Sequence, residues 1–446
     1  MTETTRESWT SRSGFLVAAI GGAIGLGNVW KFPYVTGQYG GASFLVVYIL
    51  ALLCVALPLI MVELGAGRKT RRSFAGALRE LMPGTSWYLL GVLGVLVFVL
   101  VLSFYLGVAG WTLAYLLKSL SGGYANSTPE EISTQFGAFL NNPGQLIFWQ
   151  LAFTAITGAV VVKGVRKGIE KTCTILLPLL FAVIIILALW AMTLPGASAG
   201  LEFYLSPDWS KLNGQAVLAA VGQAFFTLGV GCGNMVVYGS YLDRKQTIAS
   251  NSVVITFGDF SAALLVGLLI FPAAFAFGIN PEVAGPPLVF LTLPSVFVQM
   301  PYGMVFATLF YLALVFACLT STLAILEAVV GYVVDEWGWS RKVAVWSSLC
   351  LISVIGFGQT LSFGPWSGFL IFDKTLFEFT DALVTTVLIP FSGLLILILA
   401  GWFWGKGVWQ EFNIGDGIKS GAGIRFLIRY IAPVAVTAIL INGLFG

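Results

Sequence analysis

The stretches GGAIGLGN (Gly21–Asn28) and TLGVGCGN (Thr227–Asn234) each interrupt a strongly apolar part of the chain. The first contains four glycines, the second contains three, and both end on an asparagine. Because a glycine destabilises an ordinary helix by about 1 kcal/mol relative to alanine, such clusters are unfavourable in a continuous helix. Their repetition predicts two apolar helices that are interrupted in the same way.

The composition is that of a membrane protein. Of the 446 residues, 58% are hydrophobic and only 10% are charged, and the mean hydropathy is +0.93. A soluble domain carries roughly 25% charged residues. Apolar runs long enough to cross a bilayer recur along the whole length, which indicates a polytopic membrane protein without a separate soluble domain.

The distribution of positive charge predicts the topology. Most of the 23 lysine and arginine residues lie in the N-terminal segment and in alternate loops, so the positive-inside rule places the N-terminus in the cytoplasm. The basic stretch GRKTRR (Gly67–Arg72) is accordingly interpreted as a topological signal and not as a nucleic-acid site. Eleven spans are expected, near 14–38, 42–65, 87–120, 146–162, 168–192, 215–241, 249–278, 302–335, 341–357, 378–404 and 424–445. Because eleven is odd, the C-terminus is expected outside.

The interrupted stretches fall in the first and sixth spans, so each opens a half of five spans. Because five is odd, the second half enters the membrane from the opposite side, as in transporters built from inverted repeats. Close helix packing through GxxxG pairs is the alternative explanation of the glycines. The expected fold is an all-α membrane protein whose single transporter domain, 1–446, comprises a cytoplasmic segment 1–13, a five-helix repeat 14–192, an inverted repeat 215–404 with helices 1 and 6 unwound, and an eleventh helix 424–445.

Interrupted helices carry binding chemistry, because freed N–H groups suit a carboxylate and freed carbonyls suit an alkali cation. Oxygen-bearing side chains near the interruptions, and the hydroxyls of ACLTST (Ala317–Thr322), are candidates to complete cation sites. Each ionisable residue within a span is a candidate too, although Glu63 is expected to bond freed backbone groups next to the first span and Glu327 to be a buried hydrogen-bonded group. The oxygen-bearing candidates for a cation site near the interruptions are Asn28, Thr227, Asn234 and Asp259. The other ionisable candidates within the spans are Asp381 and Lys31.

Enzyme chemistry is not expected. The chain has no histidine, and its five cysteines show no metal-binding spacing, which removes the usual general base and the usual metal ligands. A channel or an amino acid sensor is disfavoured because the sequence shows neither polar pore rings nor a signalling segment. A proton-coupled carrier with the same interrupted helices remains the main alternative.

Three motifs resemble those of the neurotransmitter:sodium symporter family, in the right order and spans. They are WTSRSGFLVAAIGGAIGLGNVWKFPY (Trp9–Tyr34), QAFFTLGVGCGNMVVYGSY (Gln223–Tyr241) and FACLTSTLAILE (Phe316–Glu327). The resemblance covers essentially the whole chain, and it departs from the usual twelve spans by one. It implies a cell-membrane symporter that takes up an amino acid with two sodium ions by alternating access, surrounded by membrane lipid and using no organic cofactor.

The resemblance implies two sodium sites. The first is formed by Ala23, Asn28, Thr227 and Asp259, and the second by Gly21, Ile24, Ala317, Thr320 and Ser321. Mixed carbonyl, amide and hydroxyl oxygens suit a hard cation. Asp259, followed by Ala263 where chloride-dependent members carry serine, implies that a fixed carboxylate replaces chloride, so no chloride is expected.

The substrate implied is a hydrophobic or aromatic L-amino acid such as Trp, Leu, Phe, Tyr, Ile or Val. Gly25 stands where monoamine transporters carry an aspartate, so the substrate must supply its own carboxylate. Gly229 and Cys232 enlarge the implied pocket without adding charge. The substrate-binding residues implied are Gly22, Ala23, Leu26, Gly27, Val101, Tyr105, Phe226, Thr227, Gly229, Cys232, Ser321 and Ile325.

Two gates are also implied. Lys31 would face Asp381 on the outer side, where lysine lacks the two-pronged geometry of the usual arginine. On the cytoplasmic side, Gly168 and Pro178 resemble a feature that lets the fifth helix unwind. The inner gate itself would consist of Arg6, Trp9, Tyr241 and Asp335.

Overall fold

A computed structural model describes residues 6–125, 127–278, 286–300, 302–415 and 421–445. Within them, nine helices are long and apolar enough to cross a membrane, and a bent pair of helices makes a tenth if it counts as one span. The nine are Ala42–Thr70, Tyr88–Leu120, Pro143–Val161, Val165–Ala191, Ile248–Ala276, Gly303–Trp337, Arg341–Leu361, Leu376–Trp404 and Ala422–Phe445. The protein is therefore a mostly helical, multi-pass membrane protein.

The first glycine-rich stretch lies at a break between two helices. The helix Arg12–Ala23 begins at Ser11, whose side chain accepts a hydrogen bond from the Gly14 N–H group, and it ends where Ile24 turns extended (φ −74°, ψ 115°). The chain becomes helical again over Gly27–Gln38, bent by 55° from the first half. We call Arg12–Ala23 and Gly27–Gln38 the first broken pair.

The second glycine-rich stretch lies at a break of the same kind. The helix Gly214–Leu228 ends at Gly229, and the helix Asn234–Ser240 begins after Gly233. Gly229, Gly231 and Gly233 have φ values of 58°, 96° and 86°, a left-handed region that glycine adopts without a steric penalty. We call these two helices the second broken pair. The predicted count of eleven spans requires this pair to cross the membrane as a single span, and that count stays a prediction.

The connections contain more structure than their Gly, Pro, Ser and Asn content predicted. The segment 121–145 holds the helix Pro129–Leu140, which begins with a capping box in which Thr128 and Glu131 bond each other's backbone N–H groups. A small antiparallel hairpin pairs Leu370–Ile371 with Lys374–Thr375, so the fold is not purely helical. Other short helices among the described residues are Phe74–Leu81, Ala197–Leu205, Trp209–Lys211, Leu288–Phe297 and Lys406–Phe412.

The surface and the interior divide as expected for a protein solvated by lipid. Large apolar side chains such as Leu96, Ile186 and Val354 are exposed on the outer faces of the helices. Buried carboxylates and amides lie inside, where Asn28 and Asp259 are fully buried. Because a buried polar group is costly unless it is hydrogen-bonded, the interior around the broken pairs is where a site is expected.

Candidate functional site

A cavity of about 70 Å³ lies between the two breaks. Its walls come from both broken pairs and their breaks, and from the long helices Tyr88–Leu120, Gly303–Trp337 and Leu376–Trp404. All twelve residues implied as substrate-binding line it; they are Gly22, Ala23, Leu26, Gly27, Val101, Tyr105, Phe226, Thr227, Gly229, Cys232, Ser321 and Ile325. The fold thus brings the implied set together, while the binding role of each residue stays a prediction.

One side of the cavity offers hydrogen-bond donors. The Leu26 N–H group points to the Tyr105 hydroxyl at 3.2 Å. Gly25 makes this approach possible, because a Cβ atom there would lie 2.7 Å from the Tyr105 hydroxyl and 2.8 Å from the Ser321 hydroxyl. A freed backbone N–H group beside a phenol is suited to a carboxylate.

Three of the four residues of the first implied sodium site form one hydrogen-bonded cluster, and the fourth, Ala23, lines the same cavity as Asn28 and Thr227. The Asn28 amide donates to Asp259 at 2.9 Å, and the Thr227 hydroxyl donates to the two carboxylate oxygens of Asp259 at 2.9 and 3.1 Å. In the part of the chain that the structure describes, Asp259 forms no ion pair with a lysine or arginine. A buried carboxylate beside an amide and a hydroxyl group offers the kind of oxygen ligands that suit a hard monovalent cation.

The residues of the second implied sodium site also lie together. The Ser321 hydroxyl donates to the Ile24 carbonyl at 2.8 Å, and the Thr320 hydroxyl donates to the Ala317 carbonyl at 3.1 Å. Gly21 lies against Thr320, since a Cβ atom there would be 3.2 Å from the threonine Cβ. These oxygens join the end of the helix Arg12–Ala23 to the middle of the helix Gly303–Trp337.

The outer gate residues line a second cavity of about 230 Å³, which we call the outer cavity. The cavity of about 70 Å³ between the two breaks is the inner cavity. Three residues, Leu26, Tyr105 and Phe226, line both cavities and therefore separate them. Lys31 and Asp381 both face the outer cavity, yet no ion pair joins them among the described residues. The Lys31 ammonium instead lies 4.5 Å from the centre of the Phe226 ring, in a cation–π contact with the ring that closes the inner cavity.

The four inner gate residues meet on the opposite side. Arg6 pairs with Asp335 at 2.6 Å and lies over the Tyr241 ring, 4.8 Å from its centre. Burial lowers the pKa of the Arg6 guanidinium, but Tyr241 and Asp335 raise it, and its pKa lies above the usual value. Trp9 is buried and donates from its indole to the Tyr238 carbonyl at 3.0 Å. An ion pair and aromatic packing therefore close the route from the cavity to this side of the protein.

Comparison with known proteins identifies the family. The model of the sodium:neurotransmitter symporter family matches residues 6–131 and 130–445. The chain belongs to this family. It is therefore a sodium-dependent, multi-pass membrane transporter and not an enzyme.

Relatives of this symporter family match over nearly their full length. The sodium-dependent transporter YhdH of Bacillus subtilis is 38% identical over 446 residues, covering 99% of this chain and 98% of the relative. The sodium-dependent transporter MJ1319 of Methanocaldococcus jannaschii is 33% identical and covers 98% of this chain and 90% of the relative. The crystal structure of MhsT in complex with L-phenylalanine superposes with a TM-score of 0.91 at 38% identity, covering 98% of this chain and 100% of that chain.

The structure corrects the expectation for Glu63. This buried carboxylate does not bond freed groups of the first break; it accepts from the N–H groups of Gly231, Gly233 and Met235, at 2.7, 3.3 and 3.0 Å. The sequence signalled Glu63 as an acid within an apolar run. It did not reveal the partner, because the contact joins residues far apart in the chain.

Glu327 is the buried hydrogen-bonded group that the sequence predicted, and its partners extend the inner gate. It accepts from the Tyr241 hydroxyl at 2.7 Å and forms a two-pronged ion pair with Arg341. Arg341 was not singled out from the sequence, where it reads as one more positive charge in a cytoplasmic loop. Because Tyr241 lies between Arg6 and Glu327, the two ion pairs of this gate are linked through one phenol.

The implied unwinding of the fifth helix is not seen in this structure. The helix Val165–Ala191 continues through Pro178. Gly168 sits in a close contact, since a Cβ atom there would lie 2.2 Å from the Val160 carbonyl oxygen. The role of Gly168 and Pro178 in opening this helix stays a prediction.

Proposed function

We propose that this transporter takes up hydrophobic and aromatic L-amino acids together with sodium ions, by alternating access and without chloride. The observation that carries the proposal is the single cavity where both breaks meet. There the Leu26 N–H group and the Tyr105 hydroxyl lie at 3.2 Å, and Thr227 of the same cavity bonds the buried Asp259 carboxylate. Hydrogen-bond donors suited to a carboxylate and oxygen atoms suited to a cation thus lie at the same cavity.

The walls favour an apolar substrate side chain. No charged residue lines the cavity among the described residues, and Gly25 leaves no acid to pair with a monoamine. The substrate ammonium would meet the carbonyls of Ala23, Phe226 and Thr227. Apolar pockets discriminate by only about 1–3 kcal/mol per methylene, so we expect broad specificity, and the phenylalanine in the MhsT structure is of the proposed class.

Coupling follows from shared residues. Ala23 and Thr227 belong to both the proposed substrate set and the first proposed sodium site, so each ligand favours the arrangement that the other needs. We expect the substrate carboxylate to supply a further oxygen to this ion. The second site would link the first broken pair to Thr320 and Ser321. Two sodium ions per substrate are therefore proposed.

Chloride independence rests on Asp259. Its fully buried carboxylate lies next to the proposed ion, and Ala263, one turn further along the helix, is buried and carries no hydroxyl. A permanent negative charge at this position supplies what a bound anion would otherwise bring.

Alternating access would use the two gates. Movement of the Tyr105 and Phe226 side chains would open the cavity to the outer cavity, while separation of Arg6 from Asp335 would open it to the cytoplasm. In this proposal the protein lies in the cell membrane among lipids, with its N-terminus in the cytoplasm and its C-terminus outside. The halves 14–192 and 215–404 form the inverted repeat, and 424–445 is the eleventh helix.

Ion replacement in proteoliposomes tests the proposed function. We expect uptake of L-phenylalanine and L-leucine driven by an inward sodium gradient, loss of that uptake when potassium replaces sodium, and no change when gluconate replaces chloride. Uptake that persists without sodium under a proton gradient would favour a proton-coupled carrier. Loss of uptake without chloride would contradict the role assigned to Asp259.

A further inference from the structure

Asn234 is a polar residue of the cavity that the proposed substrate and ion sites do not use. Asn234 lines the same cavity as Tyr105 and Phe226. The residue is buried, at 1% exposure, and its amide oxygen has no hydrogen-bond partner. A buried amide oxygen without a partner costs about 1–3 kcal/mol, which a ligand that donates a hydrogen bond would recover.

The groups around the Asn234 amide do not satisfy its oxygen, which is therefore available to accept a hydrogen bond from a ligand. The backbone N–H groups of Gly231, Gly233 and Met235 are already held by Glu63, so they do not satisfy the amide. Gly229 gives it room, since a Cβ atom at Gly229 would meet nothing closer than the Asn234 amide nitrogen at 3.8 Å. The neighbouring lining residues are mostly apolar and offer it no charged partner; they include Val97, Phe98, Val101 and Ile389.

The position of Asn234 suits the far end of a substrate. Asn234 begins the helix Asn234–Ser240, which leads to the inner gate. Leu26 and Tyr105, the proposed carboxylate partners, line this cavity and also border the outer cavity, which Asn234 does not. A substrate held by its carboxylate near Tyr105 therefore extends its side chain toward Asn234.

We propose that Asn234 sets specificity by accepting a hydrogen bond from the ring N–H or O–H group of an aromatic amino acid. The inference rests on the proposed function and narrows its substrate class. Indole and phenol side chains carry such a donor, whereas benzyl and isobutyl side chains carry none. Tryptophan and tyrosine are then favoured over phenylalanine and leucine.

Competition for sodium-driven L-leucine uptake tests this inference. In Asn234→Leu, which keeps a branched side chain but replaces the amide with methyl groups, we expect the inhibition constants of tryptophan and tyrosine to rise about tenfold, equivalent to about 1.4 kcal/mol. Those of phenylalanine and leucine should change less than about twofold. Asn234→Ala provides a second variant that needs no repacking around a larger side chain, and the same order of effects is expected.

The matched control is Asn251→Leu. Asn251 is also a buried asparagine, but it lies outside the cavity and bonds Arg12 and Gln246, so its loss should leave the ratio of tyrosine to phenylalanine inhibition unchanged. An equal change for all four amino acids in both Asn234 variants, or no change for tryptophan and tyrosine, would overturn the inference while leaving the proposed function intact. A wild-type protein that takes up none of the four would overturn both.

Discussion

Asp259→Asn is expected to raise the sodium concentration needed for half-maximal uptake by at least about thirtyfold, equivalent to about 2 kcal/mol. The substitution keeps the shape of the side chain and removes one negative charge from a fully buried position. Asn28 and Thr227 donate to the carboxylate in the wild type, and in the variant they can donate to the amide oxygen of the new asparagine. The loss should therefore fall on the cation and not on the local hydrogen bonds. The measurement is phenylalanine uptake at a series of sodium concentrations.

The control for this prediction is Asp373→Asn. Asp373 is exposed, and its left-handed φ of 61° is one that asparagine tolerates well. We expect its sodium dependence to match the wild type. An unchanged sodium dependence in Asp259→Asn would show that the carboxylate is not part of the ion site, whatever the effect on maximal rate.

Glu63→Gln is expected to reduce uptake more than tenfold and to lower the melting temperature. The two oxygens of Glu63 accept three N–H groups of the second break. Glutamine has one carbonyl oxygen, so its NH₂ group would face at least one of these donors. Hydrogen bonds to a charged group contribute about 1.5–3 kcal/mol each. Loss of one or two would loosen Gly231–Gly233 and displace the cavity wall that follows.

Glu130→Gln is the matched control, because Glu130 is exposed in a connecting segment. It should leave both the uptake and the thermal transition of the purified protein unchanged. Wild-type uptake together with a wild-type melting temperature in Glu63→Gln would mean that the break holds its shape without this carboxylate.

The glycine clusters were sufficient to locate both breaks, although glycine is required for a different physical reason in each stretch. The residues that line the cavity were implied by the family resemblance. At the second break, Gly229, Gly231 and Gly233 adopt left-handed backbone conformations. At the first, Gly25 and Gly27 are needed for space, since a Cβ atom on Gly27 would lie 2.6 Å from the Phe226 ring. Both requirements select glycine, so a glycine cluster predicts a break without distinguishing its cause.

The partners of Glu63 and Lys31 could not be predicted from the pattern. Glu63 and Lys31 were recognisable as charges within apolar spans, but the partner of each belongs to a distant part of the chain. Glu63 holds the second break, and the Lys31 ammonium lies over Phe226. Hydropathy specifies which residues are buried, whereas these pairings depend on how the broken helices approach one another.

The dependence of L-phenylalanine binding on sodium tests most directly whether the two breaks enclose one site for both ligands. Equilibrium binding of radiolabelled L-phenylalanine to the purified protein would be compared in sodium and in potassium at equal ionic strength. Coupling between sites typically amounts to about 1–3 kcal/mol, so we expect at least about tenfold tighter binding in sodium. Equal affinity in the two salts would contradict a shared site for the ion and the amino acid.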